Sequence, residues 1–135
     1  MMFSKKIIEF LEECKTVSVG TVTPEGKPHV TAVWHIFEKD DIIFNAEKRA
    51  VKVKNLLRNP NITMLFDLYD ERWVILDGTA EMIYDQPSIK DHLDRLFIKY
   101  HGTTDNDYTR EVYAQMPERL SIRVKVSNVI SFGVD

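Results

Sequence analysis

The spacing of hydrophobic residues changes several times along the chain, and each change marks the start of a predicted element. Apolar residues after Ser4 are spaced to form one face of a helix that Ser4 caps and that runs to about Cys14. From Thr16 the period becomes two, which is the period of a strand. The clearest alternation comes late in the chain and predicts a strand over residues 119–133.

Turn residues and helix boundaries divide the middle of the chain. Strands are predicted over residues 28–38, 42–46, 62–68 and 72–84, the last bent at Gly78. Helices are predicted over residues 48–58, 85–102 and 107–116. Because most neighbouring strands are joined by turns of hairpin length, this order favours an antiparallel sheet or small barrel with helices outside, and disfavours a parallel βαβ fold.

Composition narrows the class of protein. With 135 residues, 44% of them hydrophobic, the chain is expected to form one domain over residues 1–135. The net charge of −3 argues against a nucleic-acid partner. Cys14 is the sole cysteine, which excludes an internal disulfide and indicates a reduced, cytoplasmic protein. No uncharged run reaches the length of a membrane span, so no membrane partner is expected.

A basic segment, residues 45–55, leaves a predicted strand and opens a predicted helix. The first turns of a helix carry free N–H groups and the positive end of its dipole, and four cations lie there: Lys48, Arg49, Lys52 and Lys54. A phosphate would suit such a site. The alternative is a solvated basic face on a surface helix. No glycine-rich loop precedes the helix, so it is not a P-loop.

Two tryptophans and a histidine are the other candidates for a site. Trp34 and Trp73 are able to pack against a flat heterocycle, although core or interface roles are more common for tryptophan. His35 is either a structural histidine or a proton donor. The histidines have no carboxylate at metal-ligand spacing, so no metal site is predicted. No catalytic triad or carboxylate pair is visible, and the catalytic residues are unknown.

Three segments together resemble one protein family. They are residues 21–34, a strand, turn and strand; residues 43–46 followed by residues 52–56 and 59–60; and residues 73–81, an aromatic-to-Gly-x-Ala strand. Their order and spacing resemble the pyridoxamine 5'-phosphate oxidase-like family of FMN-binding split barrels. The resemblance implies a mainly β fold with α-helices, an antiparallel split β-barrel with flanking helices, and a homodimer that holds FMN at its interface.

The resemblance also implies roles for individual residues. Lys52 matches the family lysine that contacts the FMN phosphate, and Asn45 and Ala46 match the strand end beside it. The residues that match the strand lining the isoalloxazine and ribityl chain are Val30, Thr31, Ala32, Val33, Trp34 and His35. Trp73 matches a position that faces the flavin, often from across the dimer. The family usually has arginine where this chain has Val51, and Arg49 or Lys54 is expected to supply that charge.

Several functions are compatible with this resemblance. The first is an FMN-dependent oxidoreductase of unknown substrate. The alternatives are a non-catalytic module that carries or senses flavin, a deazaflavin- or haem-binding member of the same fold, and a barrel without cofactor. The chain lacks the basic Arg-x-His segment of true pyridoxamine phosphate oxidases, so that activity is not expected. Its proportions are similar to those of the short general-stress and nitroimidazole-resistance-like members.

Overall fold

The computed structural model describes residues 3–134, and this range folds as helices packed on one antiparallel sheet. The α-helices are α1 (Lys5–Glu13), α2 (Val51–Arg58), α3 (Gln86–His101) and α4 (Asp107–Ala114). The strands are β1 (Val17–Val22), β2 (Pro28–Val33), β3 (Ile36–Glu38), β4 (Asp41–Glu47), β5 (Asn61–Asp67), β6 (Trp73–Ile83) and β7 (Arg119–Phe132). Within residues 3–134, no helix combines the length and the apolar character needed to cross a membrane.

The strand order explains how the sheet becomes a split barrel. The order is β2-β1-β5-β6-β7-β4-β3, so β2 and β3 form opposite margins of the sheet. Only Trp34 and His35 separate these two strands in the chain. A two-residue connection can join the two margins only because the sheet curls round on itself. The margins do not pair with each other among the described strands, and the predicted antiparallel split barrel is confirmed.

The interior of the curled sheet is the main hydrophobic core. Phe44, Phe66 and Leu76 are fully buried in it, and α1 adds Phe10 and Leu11. The predicted cap of α1 is present, since Ser4 Oγ accepts a hydrogen bond of 3.2 Å from the amide of Ile7. The alternation seen in the sequence thus separates the filled interior from the outer faces of the strands.

Two predicted elements differ from the structure. The strand predicted over residues 28–38 is divided at Trp34, because the chain must pass there from one margin of the sheet to the other. The helix predicted from Lys48 begins at Val51, since β4 continues to Glu47 and a turn follows it. Of the two leucines on α2, Leu56 is buried and Leu57 is 61% exposed.

A second layer of helices covers one outer face of the sheet. Asp85 caps α3, which ends at Gly102 in a left-handed conformation with φ of 72°. Asn106 caps α4 through a reciprocal pair of hydrogen bonds with Thr109. The two helices pack together through the buried residues Ile89, Leu93, Phe97 and Val112. A cavity remains where this layer approaches the end of β4.

Candidate functional site

The cavity has a volume of about 390 Å³ and lies beside the β2–β3 connection. Its walls come from that connection, the end of β4, the start of α2, helices α3 and α4, and the start of β7. The lining residues are Ala32, Val33, Trp34, Asn45, Ala46, Glu47, Ala50, Lys52, Leu93, Leu96, Phe97, Tyr108, Val112 and Arg119. The polar and charged lining residues come from β4, α2 and β7, whereas the aromatic ones come from the β2–β3 connection, α3 and α4.

Two of the lining residues are cations, Lys52 and Arg119. Lys52 is partly buried, and the side chain of Arg119 is 16% exposed. Burial lowers the pKa of Lys52, the nearby Arg119 lowers it further, and Glu47 opposes the shift. Burial likewise lowers the pKa of Arg119, again against the effect of Glu47. Two part-buried cations that disfavour each other's charge would both be stabilised by an anion between them.

The neighbouring groups leave these cations available. The Glu47 carboxylate is 4.0 Å from Nη1 of Arg119, and the Glu47 side chain is 63% exposed. Arg119 Nε donates a hydrogen bond of 2.6 Å to Oδ1 of Asn45, which holds the guanidinium at the cavity. Helix α2 begins beside them, and no side chain caps its first amide groups, because its N-cap residue is Ala50. Its positive end adds to the potential of the two side chains.

Aromatic side chains line the cavity as well, and one of them, Tyr108, is near enough to act on the charge of Arg119. Trp34 stacks on Tyr100, with 4.5 Å between ring centroids and 11° between planes. Tyr108 lies 6.0 Å from Trp34 and 6.1 Å from Phe97, and it is half exposed at the cavity. A flat ring bound here would have large aromatic surfaces beside it.

The residues predicted to bind a cofactor do not all meet in this cavity. Those that line it are Ala32, Val33, Trp34, Asn45, Ala46 and Lys52. Arg49 and Lys54 are exposed, and Arg49 lines a separate depression with Gln115 and Glu118. Val30 and Trp73 lie on the outer sheet face. The predicted contacts of Arg49, Lys54, Val30 and Trp73 with a cofactor therefore stay predictions.

Thr31 and His35 are directed away from solvent. Thr31 Oγ1 is buried and has no hydrogen-bond partner among the described residues. His35 is fully buried, and its amide donates to the Tyr100 hydroxyl at 2.9 Å. Burial, followed by the charge of Lys99, lowers the pKa of His35 to about 3. A neutral side chain in the core fits the structural interpretation of His35 better than that of a proton donor.

Arg119 is the site residue that sequence reasoning missed. It stands at the first position of β7, where it pairs in register with Glu47 of β4. The sequence shows both strands, but it does not show that they are neighbours. The available signal was a cation at the start of a predicted strand. It indicates a site residue only when the pairing of β7 with β4 is known.

A second polar cluster lies under α3. Glu38, Asp91 and His92 each bring one possible ligand atom within 4.8 Å of the others. The Glu38 carboxylate already binds Arg95 Nη2 at 2.6 Å and also binds Arg123. Two guanidinium groups beside it disfavour a cation, so we interpret the cluster as an ion-pair network.

Comparison with known proteins fits this architecture. A family model described as pyridoxamine 5'-phosphate oxidase matches residues 3–132. The chain belongs to this family. A curated pyridoxine/pyridoxamine 5'-phosphate oxidase from Bacteroides thetaiotaomicron is 32% identical over 80 residues. That match covers 58% of this chain and 38% of the relative, so the chain spans well under half the length of that oxidase.

Solved structures share the fold of this oxidase-family chain. A conserved hypothetical protein from Mycobacterium tuberculosis is 25% identical with a TM-score of 0.83, over 98% of this chain and 85% of that one. An F420 reductase is 22% identical with a TM-score of 0.75, over 90% and 94%. HutZ, the haem storage protein of Vibrio cholerae, is 16% identical with a TM-score of 0.76, over 99% and 97%. General stress and nitroimidazole resistance proteins share the fold too, as the sequence analysis predicted.

Proposed function

We propose that the cavity binds flavin mononucleotide and that the chain is an FMN-dependent oxidoreductase. The observation that carries the proposal is the convergence of Lys52 and Arg119 on a cavity that Trp34, Phe97 and Tyr108 also line. A phosphate between these cations and the start of α2 would form charge-assisted hydrogen bonds. The isoalloxazine ring would pack near Trp34 and Tyr108.

The hydroxyl of Thr31 is buried and has no hydrogen-bond partner among the described residues. Thr31 precedes two residues that line the cavity, Ala32 and Val33, but it is not part of the lining itself. A contact between Thr31 Oγ1 and a ribityl hydroxyl stays a prediction.

The protein's own residues would bind and orient the cofactor. Bound FMN supplies hydride or electron transfer through its ring. Lys52 and Arg119 would fix the phosphate, and the aromatic wall would set the plane of the ring. The substrate would then approach the exposed ring face, beside half-exposed Tyr108.

Two other ligands are alternatives within this fold. A deazaflavin, suggested by the F420 reductase, would use the same cations if it carried a phosphate. Haem, suggested by HutZ, needs an axial ligand, and the described lining of the cavity includes no histidine. A non-catalytic flavin carrier would use the same residues as an oxidoreductase, and turnover with an electron donor separates the two roles. Oxidation of pyridoxamine phosphate is not part of the proposal.

A second copy of the chain is proposed to cover the outer face of the sheet. Ala32, Ser18, Leu65, Ile75 and Ile130 pair across five neighbouring strands, so their side chains form one row on that face. We call this the sheet row. Because Ala32 also lines the cavity, the sheet row leads directly to the proposed ligand.

The position of Trp73 also supports a dimer. Trp73 stacks on Phe132 at 5.7 Å between ring centroids, on the same face as the sheet row. It does not line the cavity of its own chain. In a dimer, a tryptophan at this position would be brought toward the partner's cofactor. A second subunit would also cover apolar side chains such as Phe132, which is 56% exposed.

The experiment for the proposed function is an absorbance scan of the purified protein, followed by titration with FMN. Flavin bands from retained cofactor, or saturable binding of added FMN, are expected. Deazaflavin or haem bands would identify the other ligand. A colourless protein that does not bind FMN would overturn the proposal.

Lys52→Ala tests the phosphate site directly. Removal of one charge-assisted contact is expected to weaken FMN binding by about 1.5–3 kcal/mol, or about 10–150-fold. Lys6→Ala is the matched control, because Lys6 is an exposed lysine on α1, outside the cavity lining. Equal effects of the two substitutions on FMN affinity would refute the assignment of Lys52.

A further inference from the structure

A continuous line of hydrogen-bonding groups leads from the cavity to the ion-pair network under α3. Arg119 Nε donates to Asn45 Oδ1 at 2.6 Å, and Asn45 Nδ2 donates to Ser121 Oγ at 3.4 Å. Ser121 Oγ lies 2.7 Å from Nδ1 of His92, and Nε2 of His92 lies 3.6 Å from the Glu38 carboxylate. We call these five residues the buried relay. Ser121 and His92 are 0% and 2% exposed, so solvent does not compete for their bonds.

The two ends of the relay determine its direction. Arg119 only donates hydrogen bonds, so Asn45 must present its carbonyl oxygen to it and its NH₂ group to Ser121. Ser121 then accepts from Asn45, and its own hydrogen is directed to Nδ1 of His92. Neutral His92 therefore carries its hydrogen on Nε2, facing the acceptor-only carboxylate of Glu38. The three hydrogen bonds from Arg119 to His92 all donate in the same direction, which strengthens each of them.

The charges around His92 keep this direction stable. Glu38 is held ionised by hydrogen bonds from Arg123 and Arg95, which lower its pKa to about 2. Burial lowers the pKa of His92, Glu38 and Asp91 oppose that shift, and Arg95 and Arg123 add to it. A neutral His92 beside an ionised Glu38 is the state that the relay requires.

We propose that the buried relay positions Arg119 for anion binding, with Ser121 and His92 fixing the amide orientation of Asn45. This inference rests on the proposed function, because the anion is taken to be the phosphate of a flavin nucleotide. Neither Ser121 nor His92 lines the cavity, so both act through Asn45. Without them the Asn45 amide is free to turn its NH₂ group toward Arg119, and the guanidinium loses the acceptor that holds it at the cavity.

Ser121→Ala is the substitution that tests the relay, with affinity for FMN and for riboflavin measured by fluorescence titration. FMN affinity is expected to fall about 5- to 20-fold, since one buried hydrogen-bond partner is removed. Riboflavin affinity is expected to stay unchanged, because riboflavin has no phosphate for Arg119 to contact. Ser127→Ala is the matched control: Ser127 is exposed on the same strand and donates to the Asp77 carbonyl at 3.2 Å, away from the cavity.

A double-mutant cycle separates positioning from a general loss of structure. In an Arg119→Met background, Ser121→Ala is expected to cause no further loss of FMN affinity. Additive losses, or equal losses of FMN and riboflavin affinity, would overturn the proposal. If Ser121→Ala does not fold, His92→Gln interrupts the relay one step further from the cavity and is expected to give the same FMN-only loss.

Nuclear magnetic resonance shows which ring nitrogen of His92 carries the hydrogen. This measurement tests the relay separately from the proposed function, because it does not require bound flavin. A hydrogen on Nε2 in the wild-type protein supports the relay even if no flavin binds, and a hydrogen on Nδ1 overturns it. Failure of the wild-type protein to bind FMN would reject the flavin proposal. Normal FMN binding by Ser121→Ala would reject the relay alone.

Discussion

His35 sits among aromatic and cationic side chains that disfavour a charge on its ring. Its centroid is 5.1 Å from that of Phe66 in an edge-on arrangement, and Lys99 Nζ lies 3.5 Å from its Nε2. Both the low polarity and the neighbouring cation favour the neutral imidazole. The ring therefore packs as part of the core, and protonation would require the core to open.

Acid is expected to destabilise the fold through His35. Its pKa is about 3 in the native state against an ordinary value of 6.5, so the unfolded chain binds more protons between these values. Stability is full above about pH 6.5 and is lost as the pH falls toward about 3. Chemical denaturation at about pH 7 and pH 5, a range in which ordinary carboxylates remain ionised, measures this loss.

A variant isolates the contribution of His35 to that pH dependence. His35→Gln is expected to lower stability at neutral pH but to flatten its change between about pH 7 and pH 5. His101→Gln, at an exposed histidine, removes the same type of residue as a control. An unchanged slope in His35→Gln would contradict the assignment of the acid response to this residue.

Single residues of the candidate site differed in how far the sequence revealed them. Lys52 was one of four cations in a basic segment at the start of a helix, which is a local pattern, and the family resemblance singled it out as the phosphate contact. Arg119 was not, because its place in the cavity depends on the pairing of β7 with β4. Arg49 or Lys54 was expected to replace the family arginine at Val51, and that stays a prediction; the second cation that lines the cavity with Lys52 is Arg119.

Among the elements, the junction of β6 and β7 contains the tightest backbone approach at a glycine. The register between the strands shifts at Asp77 and Gly78, the position at which the sequence predicted a bend. A Cβ atom on Gly78 would lie 2.4 Å from the carbonyl oxygen of Lys125 and 3.0 Å from Cγ1 of Val124. No side chain fits there unless β7 moves.

Gly78→Ala is accordingly expected to destabilise the fold by about 1–3 kcal/mol, the usual cost of forced overpacking. Gly20→Ala is the matched control in β1, where the added Cβ would meet its nearest neighbour, the Thr63 carbonyl oxygen, at an ordinary 3.7 Å. Urea denaturation of both variants measures the difference. Equal free energies of unfolding for the two variants would show that β7 moves to accept the added Cβ atom without loss of stability.

Most elements follow from periodicity and turn residues, but the break between β2 and β3 does not. Residues on both faces of the predicted strand 28–38 are apolar, so no change of period marks the break. It arises because Trp34 and His35 cross from one margin of the sheet to the other. The cavity lies beside this crossing. Its location depends on the order of strands in the sheet, which the spacing of apolar residues along the chain does not show.

At the scale of the whole molecule, the proposed dimer makes the sheet row a contact surface. Ile130→Lys is expected to shift the protein from dimer to monomer in light scattering, because a lysine would be placed in an apolar interface. Ile130 is 46% exposed within one chain, so the subunit itself is expected to stay folded. FMN affinity is expected to fall as well, since the ligand would lose the partner's contribution.

Ile98→Lys supplies the control for this test. Ile98 is 56% exposed on α3, outside the sheet, and the substitution adds the same charge. It is expected to leave both mass and FMN affinity unchanged. A wild-type monomer, or a dimer that tolerates Ile130→Lys, would exclude this face as the interface.

The position of β7 between β6 and β4 also determines when the cavity is completed during synthesis. The β3–β4 hairpin joins the remaining strands only through β7, which follows every other strand in the chain. Until a ribosome has released β7, the hairpin that carries Asn45 has no neighbour in the sheet, and Arg119 is not in place. A nascent chain therefore lacks the proposed binding site until this strand has been made, and ligand capture would report that translation has passed it.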